Sequence, residues 1–340
     1  MRSLFLALAA LVCAFQSASG QKIADEKLHQ KVAAGIECTV KQDYAGARRY
    51  FTAASAMNPQ HPAPYIYMAG AVQAQATDYG RPLERRLYDS LLTMGERCAD
   101  AMIERFPQSA DGYYYAGTVL AYRAFTSSES GNWAGSAYHG MGAASKFEKA
   151  LELNPRHYDA MNGLGTYLYW RSKLSWIPFV SDRKAEGIAM VAEAAHKSQY
   201  EQGVALNSLM LILIEEKRYI EAAQTAYEML SEVPDQRAFL WGLMTLYEQT
   251  GNAAELRKIV PRLLHSVVSA PVVNYYNEAA CRVKLAQYAY DDGNFRRTIE
   301  ECEKVLALKR VASQSVRSLK KKYAMAEELM NSARMKLVQK

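Results

Sequence analysis

The feature that most constrains this chain of 340 residues is an internal repeat. Two stretches carry Ala, Phe, Ala and Pro at successive separations of 4, 3 and 5 positions. They are Ala47, Phe51, Ala54 and Pro59, and Ala143, Phe147, Ala150 and Pro155. Small residues let antiparallel helices approach closely, and proline ends a helix because it lacks an amide donor. The pattern predicts helical hairpins, each of which buries its apolar face against the next.

These positions resemble the tetratricopeptide repeat (TPR), a helix-turn-helix unit of roughly 34 residues. Gly35 stands where the family places a small residue in the first helix of the unit. Residues 21–309 then divide into about seven hairpins on this frame. The resemblance implies an all-α fold, a right-handed superhelical solenoid of antiparallel hairpins with a concave groove lined by their first helices.

Three stretches interrupt the repeat spacing and are expected to be irregular insertions. They are residues 81–91, 126–140 and 172–183. Trp133 lies in the second stretch, and Trp176 and Phe179 lie in the third. Loops inserted into a repeat array often form its binding face, so these three side chains are predicted as further contacts with a partner.

The last segment, residues 310–340, departs from the hairpin rhythm. Its apolar residues recur at intervals of three and four, which predicts one long amphipathic helix. The favoured interpretation is a cap over the exposed core of the last repeat. A coiled-coil dimer helix is the alternative.

Residues 1–20 have the layout of a secretory signal peptide. Arg2 precedes an apolar run over residues 4–15, and small residues follow at 18–20. The pattern predicts cleavage near Gly20–Gln21 and a periplasmic or secreted protein. An uncleaved anchor is the alternative. No later stretch is long and apolar enough to cross a bilayer.

The charge pattern argues against a nucleic-acid partner. The formal net charge is only +6, and basic residues are scattered among acidic ones rather than collected in a stripe. Four cysteines follow the leader: Cys38, Cys98, Cys281 and Cys302. Each fits a helical pattern where a small apolar residue packs, so buried free thiols are the favoured interpretation. Their pairing in an oxidising compartment stays open.

Motifs that carry chemistry are missing from the sequence. The six histidines form no HExxH pair, and neither a GxSxG elbow nor a phosphate-binding loop after a strand occurs. No cluster of His or Cys has the spacing of metal ligands. We therefore expect neither a catalytic site, nor a metal, nor a cofactor.

The family resemblance also implies which side chains line the concave groove. Carried onto this chain, they are Tyr114, Tyr122, Asn162, Tyr169, Trp170, Asn207, Trp241 and Tyr290. Large aromatic and amide side chains suit an extended peptide or a partner helix. The alternative for each aromatic residue is a place in the core between repeats.

Together these observations predict a non-catalytic scaffold for protein–protein interaction in the cell envelope. Two alternatives remain. One is a periplasmic, transport-associated component that encloses a small apolar or aromatic molecule, which requires the groove to close on itself. The other is an assembly factor that associates peripherally with a membrane through the segment beginning at Trp176.

Overall fold

The computed structural model describes residues 23–176, 180–312, 315 and 317–339. The predicted signal peptide and Phe179 lie outside these residues. The described residues form fifteen α-helices and one short 3-10 helix, Leu308–Arg310, and they contain no strand. The all-α prediction is confirmed.

Fourteen of the helices pair into seven antiparallel hairpins, numbered 1 to 7 along the chain. The helices are α1 (Glu26–Val40), α2 (Tyr44–Met57), α3 (Ala63–Tyr79), α4 (Arg85–Arg105), α5 (Ala110–Glu129), α6 (Trp133–Leu153), α7 (Tyr158–Ser172), α8 (Lys184–Lys197), α9 (Gln202–Glu215), α10 (Tyr219–Glu232), α11 (Arg237–Gln249), α12 (Ala253–Val268), α13 (Tyr275–Asp291), α14 (Phe295–Ala307) and α15 (Lys320–Val338). Each hairpin packs on the next along the chain.

The repeated Phe and Gly residues pack as their spacing predicts. A Cβ atom added at Gly35 would lie 2.5 Å from the ring of Phe51. The ring of Phe147 lies between α5 and α7, because a Cβ atom at Gly117 or Gly163 would come within 2.7 Å or 2.5 Å of it. Glycine therefore lets the phenylalanine ring fill the space between helices.

The turns inside six hairpins share one backbone feature, a residue with a positive φ angle between 59° and 75°. These residues are Gln42, Gly80, Gly131, Lys217, Gly251 and Gly293. A left-handed residue ends one helix and reverses the chain within a few positions. Side-chain caps then start many of the helices; for example, Asn294 Oδ1 accepts a hydrogen bond from the amide of Arg297.

Hairpin 3 is longer than the others, with 20 residues in α5 and 21 in α6. The expectation of an irregular loop over residues 126–140 is wrong, since most of this stretch extends the two helices. Residues 81–91 are likewise largely helical, because α4 begins at Arg85. Packing along a neighbouring helix outweighs the weak helix propensity of Ser and Gly. Residues 173–176 and 180–183 are non-helical, as expected.

The array closes on itself, because hairpins 1 and 2 contact hairpins 5 to 7. Gln42 accepts a hydrogen bond from the amide of Arg237 at 3.1 Å, and the Asn274 amide donates to the carbonyl of Asp78 at 2.9 Å. Val40, in hairpin 1, also packs against the apolar core of hairpins 4 to 7. A solenoid is usually held together by neighbouring repeats alone, so these distant contacts are a distinctive feature of this chain.

The C-terminal helix α15 packs on α13 and α14. Ala326, Met330 and Ala333 are buried on the inner face of α15. No helix among the described residues has both the length and the apolar character needed to cross a membrane.

Candidate binding surfaces

The segment Tyr200–Glu201, between α8 and α9, reaches across the concave face of the array. The Tyr200 hydroxyl accepts a hydrogen bond from the amide of Ile23 at 2.9 Å and lies 2.8 Å from His29 Nδ1. Its ring packs against Tyr67, with 5.8 Å between ring centroids. This one side chain therefore joins the start of hairpin 5 to hairpins 1 and 2.

Glu201 makes the matching contacts with hairpins 3 and 4. Its carboxylate accepts hydrogen bonds from the Tyr114 hydroxyl at 2.7 Å and from the Asn162 amide at 3.1 Å. The hydroxyl groups of Tyr67 and Tyr114 are hydrogen-bonded to each other, with 3.1 Å between the oxygens. We call Tyr67, Tyr114, Asp159, Asn162, Tyr200 and Glu201 the inner cluster. It is polar, yet Asp159 is fully buried and Glu201 is only 9% exposed.

Asp159 and Glu201 are two acidic groups within the same buried cluster. Asp159 accepts hydrogen bonds from the backbone amides of Tyr200 and Glu201, at 3.3 and 3.2 Å. Burial, and next the negative charge of Glu201, raise the pKa of Asp159 to about 7. Burial also raises the pKa of Glu201, while its bonds to Tyr114 and Asn162 act in the opposite direction. A proton on one of the two groups relieves the repulsion between them.

A second set of contacts, which we call the rim contacts, closes the edge of the array. Arg237, at the start of α11, donates from Nε to Asp78 Oδ1 at 2.6 Å and from Nη2 to Oδ2. Both side chains are only 10% exposed. Tyr44 donates its hydroxyl hydrogen to Asp78 as well, at 3.0 Å. This buried, bidentate ion pair fixes the end of α3 against hairpin 6.

The predicted groove residues fall into three groups. Tyr114, Asn162 and Tyr169 are buried, so they are covered by the chain itself. Tyr122, Asn207, Trp241 and Tyr290 are partly exposed, and Trp241 packs against the apolar core of hairpins 4 to 7. Trp170 is exposed. The structure brings Tyr114 and Asn162 together through Glu201, and the rings of the chain neighbours Tyr169 and Trp170 lie 5.0 Å apart.

Sequence reasoning missed Asp159, Tyr200 and Glu201. Asp159 occupies the first turn of α7, where an acidic residue is ordinary and attracts no notice. Tyr200 and Glu201 lie outside the helices, in a connection with no recurring pattern. An aromatic residue followed by an acidic one forms no recognisable motif, so the sequence does not indicate their distant partners.

A different surface lies at one end of hairpins 3 and 4. The C-terminal end of α5, the N-terminal end of α6 and the C-terminal end of α7 meet there, since consecutive helices run antiparallel. Gly140 marks the level at which α6 faces α7, because a Cβ atom there would lie 3.6 Å from the Tyr167 ring. Exposed apolar side chains lie at this level or between it and the end of the hairpins: Phe125, Trp133, Tyr138, Met141, Trp170, Leu174 and Trp176. We call this set the aromatic crest.

The aromatic crest is exposed to an unusual degree. Trp133, Tyr138 and Trp176 are 73%, 71% and 79% exposed. Glu129 is the one charged residue between positions 124 and 145. Large apolar side chains on a stretch with a single charge are typical of contacts with another molecule rather than with water.

The described residues hold no group of three or more His, Cys, Asp or Glu side chains that could bind a metal ion. Two surface depressions, of about 390 and 410 Å³, are lined by residues around Phe295 and Arg97, away from the inner cluster. Cys98, Cys281 and Cys302 are buried and Cys38 is half-buried, and all four are unpaired. Burial raises the pKa of each thiol, which keeps it in the unreactive form.

Comparison with known proteins places the fold. No protein-family model and no curated protein matches the chain. Among solved structures, the Cut9–Hcn1 hetero-tetramer of the APC/C aligns with a TM-score of 0.54 and 12% identity, over 92% of this chain and 57% of that chain. The PilF protein of Pseudomonas aeruginosa aligns at 0.47 and 15% identity, over 78% and 95% of the two chains. YrrB, described as a TPR protein with an unusual peptide-binding site, aligns at 0.38 and 18% identity, over 65% and 94%.

This chain is longer than PilF and YrrB and spans just over half of the Cut9–Hcn1 chain. At such low identity the likeness concerns the fold alone. Seven helical hairpins, the Phe–Gly packing and the alignment with the Cut9–Hcn1 chain agree: the chain has the fold of a tetratricopeptide-repeat protein.

Proposed function

We propose that this protein is a non-catalytic interaction scaffold of the cell envelope that docks a partner protein on the aromatic crest. The exposure of Trp133, Tyr138, Trp170 and Trp176 at one end of hairpins 3 and 4 carries the proposal. Tryptophan and tyrosine are enriched at the centres of protein interfaces, and charged residues are depleted there. The concave face, which the family uses as a groove, is covered by the chain's own Tyr200–Glu201 segment.

A protein partner fits the crest better than a lipid surface does, because of what surrounds the aromatic side chains. Residues 126–140 are rich in Ser and Gly with Trp and Tyr among them, a composition found in surfaces that bind proteins by adaptable hydrogen bonds and rigid aromatic anchors. Two of the neighbouring basic groups are already engaged with carboxylates: Lys173 lies 3.2 and 3.1 Å from Glu215 and Glu216, and Lys184 lies 2.9 Å from Glu216. This pairing weakens their attraction for anionic headgroups.

The location in the envelope is part of the proposal and is supported by the leader-like pattern of residues 1–20. Fractionation of the native cells with N-terminal sequencing of the isolated protein tests it. A mature chain that begins near Gln21 in the envelope or secreted fraction supports export. A full-length chain in the cytoplasm contradicts it.

The docking surface is tested by site-specific photo-crosslinking in native cells. A benzoylphenylalanine at Trp133 is expected to yield one discrete protein adduct, whereas the same probe at Ile220, which is 77% exposed on α10, is expected to yield none. Trp176→Ser should reduce the yield of that adduct at least about 10-fold if Trp176 is an interface anchor. Adducts with lipid alone, or equal yields from both positions, would contradict the proposal.

The small-molecule alternative has weaker support. The array does close, as that hypothesis requires, but the closure is filled by tyrosine, asparagine and carboxyl side chains in contact with one another. A ligand there would have to displace the inner cluster.

A further inference from the structure

We propose that this protein attaches peripherally to an anionic membrane surface through a basic patch beside hairpin 7. The patch consists of the exposed side chains of Arg310, Arg317, Lys320 and Lys321 together with the half-buried Lys322. We call these five residues the basic end. The attachment goes beyond the proposed scaffold function, and it uses a different part of the array from the aromatic crest on hairpins 3 and 4.

Basic residues are scattered among acidic ones through most of the chain, but not after residue 303. Residues 304–326 contain seven Lys or Arg and no Asp or Glu. Residues 304–340 contain ten basic and two acidic side chains, a formal net charge of +8, whereas the whole chain carries only +6. The preceding residues are therefore net negative. The modest charge of the whole chain conceals a strongly positive C-terminal segment, which can attract an anionic surface locally.

The fold gathers these cations at one end of hairpin 7, where α13 begins and α14 ends. The Arg317 guanidinium and the Lys322 ammonium lie 5.3 and 5.8 Å from the centre of one ring, that of Tyr276 in the first turn of α13. Lys309, in the 3-10 helix, lies 5.4 Å from the centre of the Tyr323 ring near the start of α15. The 3-10 helix, the segment that follows it and the start of α15 therefore contribute to one surface.

The chain itself does not neutralise the basic end. The neighbouring cations Lys304, Lys309 and Arg334 each pair with a glutamate. None of the five residues of the basic end forms such a pair with another described residue. Residues 320–322 are three lysines in the first turn of α15, where positive charge opposes the helix dipole. Because this arrangement does not stabilise the helix, the charge is better explained by an anion outside the chain.

A lipid surface fits the basic end better than an acidic peptide does, because apolar side chains are exposed within the same stretch. Val311 is 51% and Met325 is 44% exposed. Met325 follows Lys321 by four positions, so the two lie on one face of α15. Clustered cations attract anionic headgroups, and adjoining apolar side chains can enter the headgroup region. At the crest, by contrast, Lys173 and Lys184 are paired with carboxylates.

Co-sedimentation with vesicles tests the attachment. The purified chain begins at Gln21, so that the apolar run of the leader cannot bind lipid by itself. It should bind vesicles of phosphatidylcholine with about one-third phosphatidylglycerol in about 0.1 M salt, and it should be released in about 0.5 M salt. Pure phosphatidylcholine vesicles should not bind it. One cation near an anionic surface contributes about 5-fold to the affinity, so the triple variant Arg310→Gln, Lys320→Gln, Lys321→Gln should bind on the order of 100-fold more weakly.

The matched control removes three exposed cations that form no ion pair with a described residue on other hairpins: Arg97→Gln, Arg105→Gln, Arg156→Gln. It changes the net charge by the same amount and should bind almost as tightly as the wild type. Circular dichroism should show that both variants keep their helices, since all six side chains are exposed. Absence of wild-type binding to the anionic vesicles, or equal losses in the two triple variants, would overturn the proposal.

Soluble polyglutamate separates a lipid partner from an acidic protein, since it offers negative charge without an apolar layer. The pair Val311→Ser, Met325→Ser should weaken vesicle binding and leave binding to polyglutamate unchanged. If this pair binds vesicles as tightly as the wild type does, and polyglutamate binds equally well at the same charge concentration, the lipid assignment is wrong. Crosslinking at Trp133 does not involve the basic end, so failure of the attachment and failure of the scaffold function are distinguishable.

Discussion

The inner cluster and the aromatic crest reverse the usual distribution of side chains. The inner cluster buries two carboxyl groups, an amide and three tyrosine hydroxyls, whereas the crest exposes three of the four tryptophans of the chain. Buried polar groups are costly unless each finds a partner, and exposed aromatic groups gain nothing from water. The contrast indicates that the polar interior determines how the array closes, and it supports the proposal that the apolar exterior meets another molecule.

The largest effect is expected from removing a charge at the rim contacts. Arg237→Ala leaves the Asp78 carboxylate buried without its bidentate partner and should lower the free energy of unfolding by about 3–5 kcal/mol. Urea denaturation followed by circular dichroism measures it. Arg218→Ala is the control, because Arg218 pairs with Glu221 at an exposed surface and should cost less than about 1 kcal/mol. Equal losses would mean that the closure contributes little to stability.

A smaller loss is expected inside the inner cluster. Tyr200→Phe keeps the ring against Tyr67 but leaves the buried amide of Ile23 without its acceptor, which should cost about 1–3 kcal/mol. Hydrogen exchange should show faster exchange in α1 before any other helix changes. Uniformly unchanged exchange would show that Tyr200 does not hold hairpin 1 in place.

The pH dependence of stability should carry the signature of the carboxyl pair. Because the pKa of Asp159 is raised from 3.8 to about 7, its contribution to the free energy of unfolding is full only below the ordinary value, declines as the pH rises, and is lost once the pH has passed 7. Asp159→Asn should flatten the decline between pH 5 and 7 in urea titrations. A wild-type stability that rises over this range would contradict the assignment.

The smallest effect on stability is expected at the crest. Trp133→Ser and Trp176→Ser should change the free energy of unfolding by no more than about 0.5 kcal/mol, because neither side chain is packed. Thermal unfolding monitored by circular dichroism checks this. A loss as large as that of Tyr200→Phe would show that the crest is part of the core instead of a free surface.

The hairpins could be predicted from the sequence because their determinants are local. Phe51 and Gly35 lie 16 positions apart in one unit, and the same packing recurs at Phe147. Apolar spacing alone predicted one helix over residues 310–340, and α15 spans Lys320–Val338 within that range. Such short-range contacts leave a periodic trace along the chain.

The closure could not be predicted, because it depends on the small rotation that each hairpin adds to the one before it. Tyr114 and Asn162 were predicted to line the groove and are buried against Glu201 instead, and nothing near them in the sequence indicates that contact. The composition of residues 126–140 likewise suggested a loop, where packing between α5 and α6 instead sustains helix and raises the crest above the neighbouring hairpins.

The rim contacts also change how the chain is expected to fold. An open array of repeats can lose a terminal repeat and keep the others folded, because each repeat contacts only its neighbours. Here Asp78 and Arg237 are 159 positions apart in the chain, so a growing polypeptide cannot form their ion pair until hairpin 6 exists. Contacts of such long range slow folding and couple the ends. The number of repeats between α3 and α11 is therefore fixed. A hairpin added or deleted there would move the two charges out of register, and the array would no longer close.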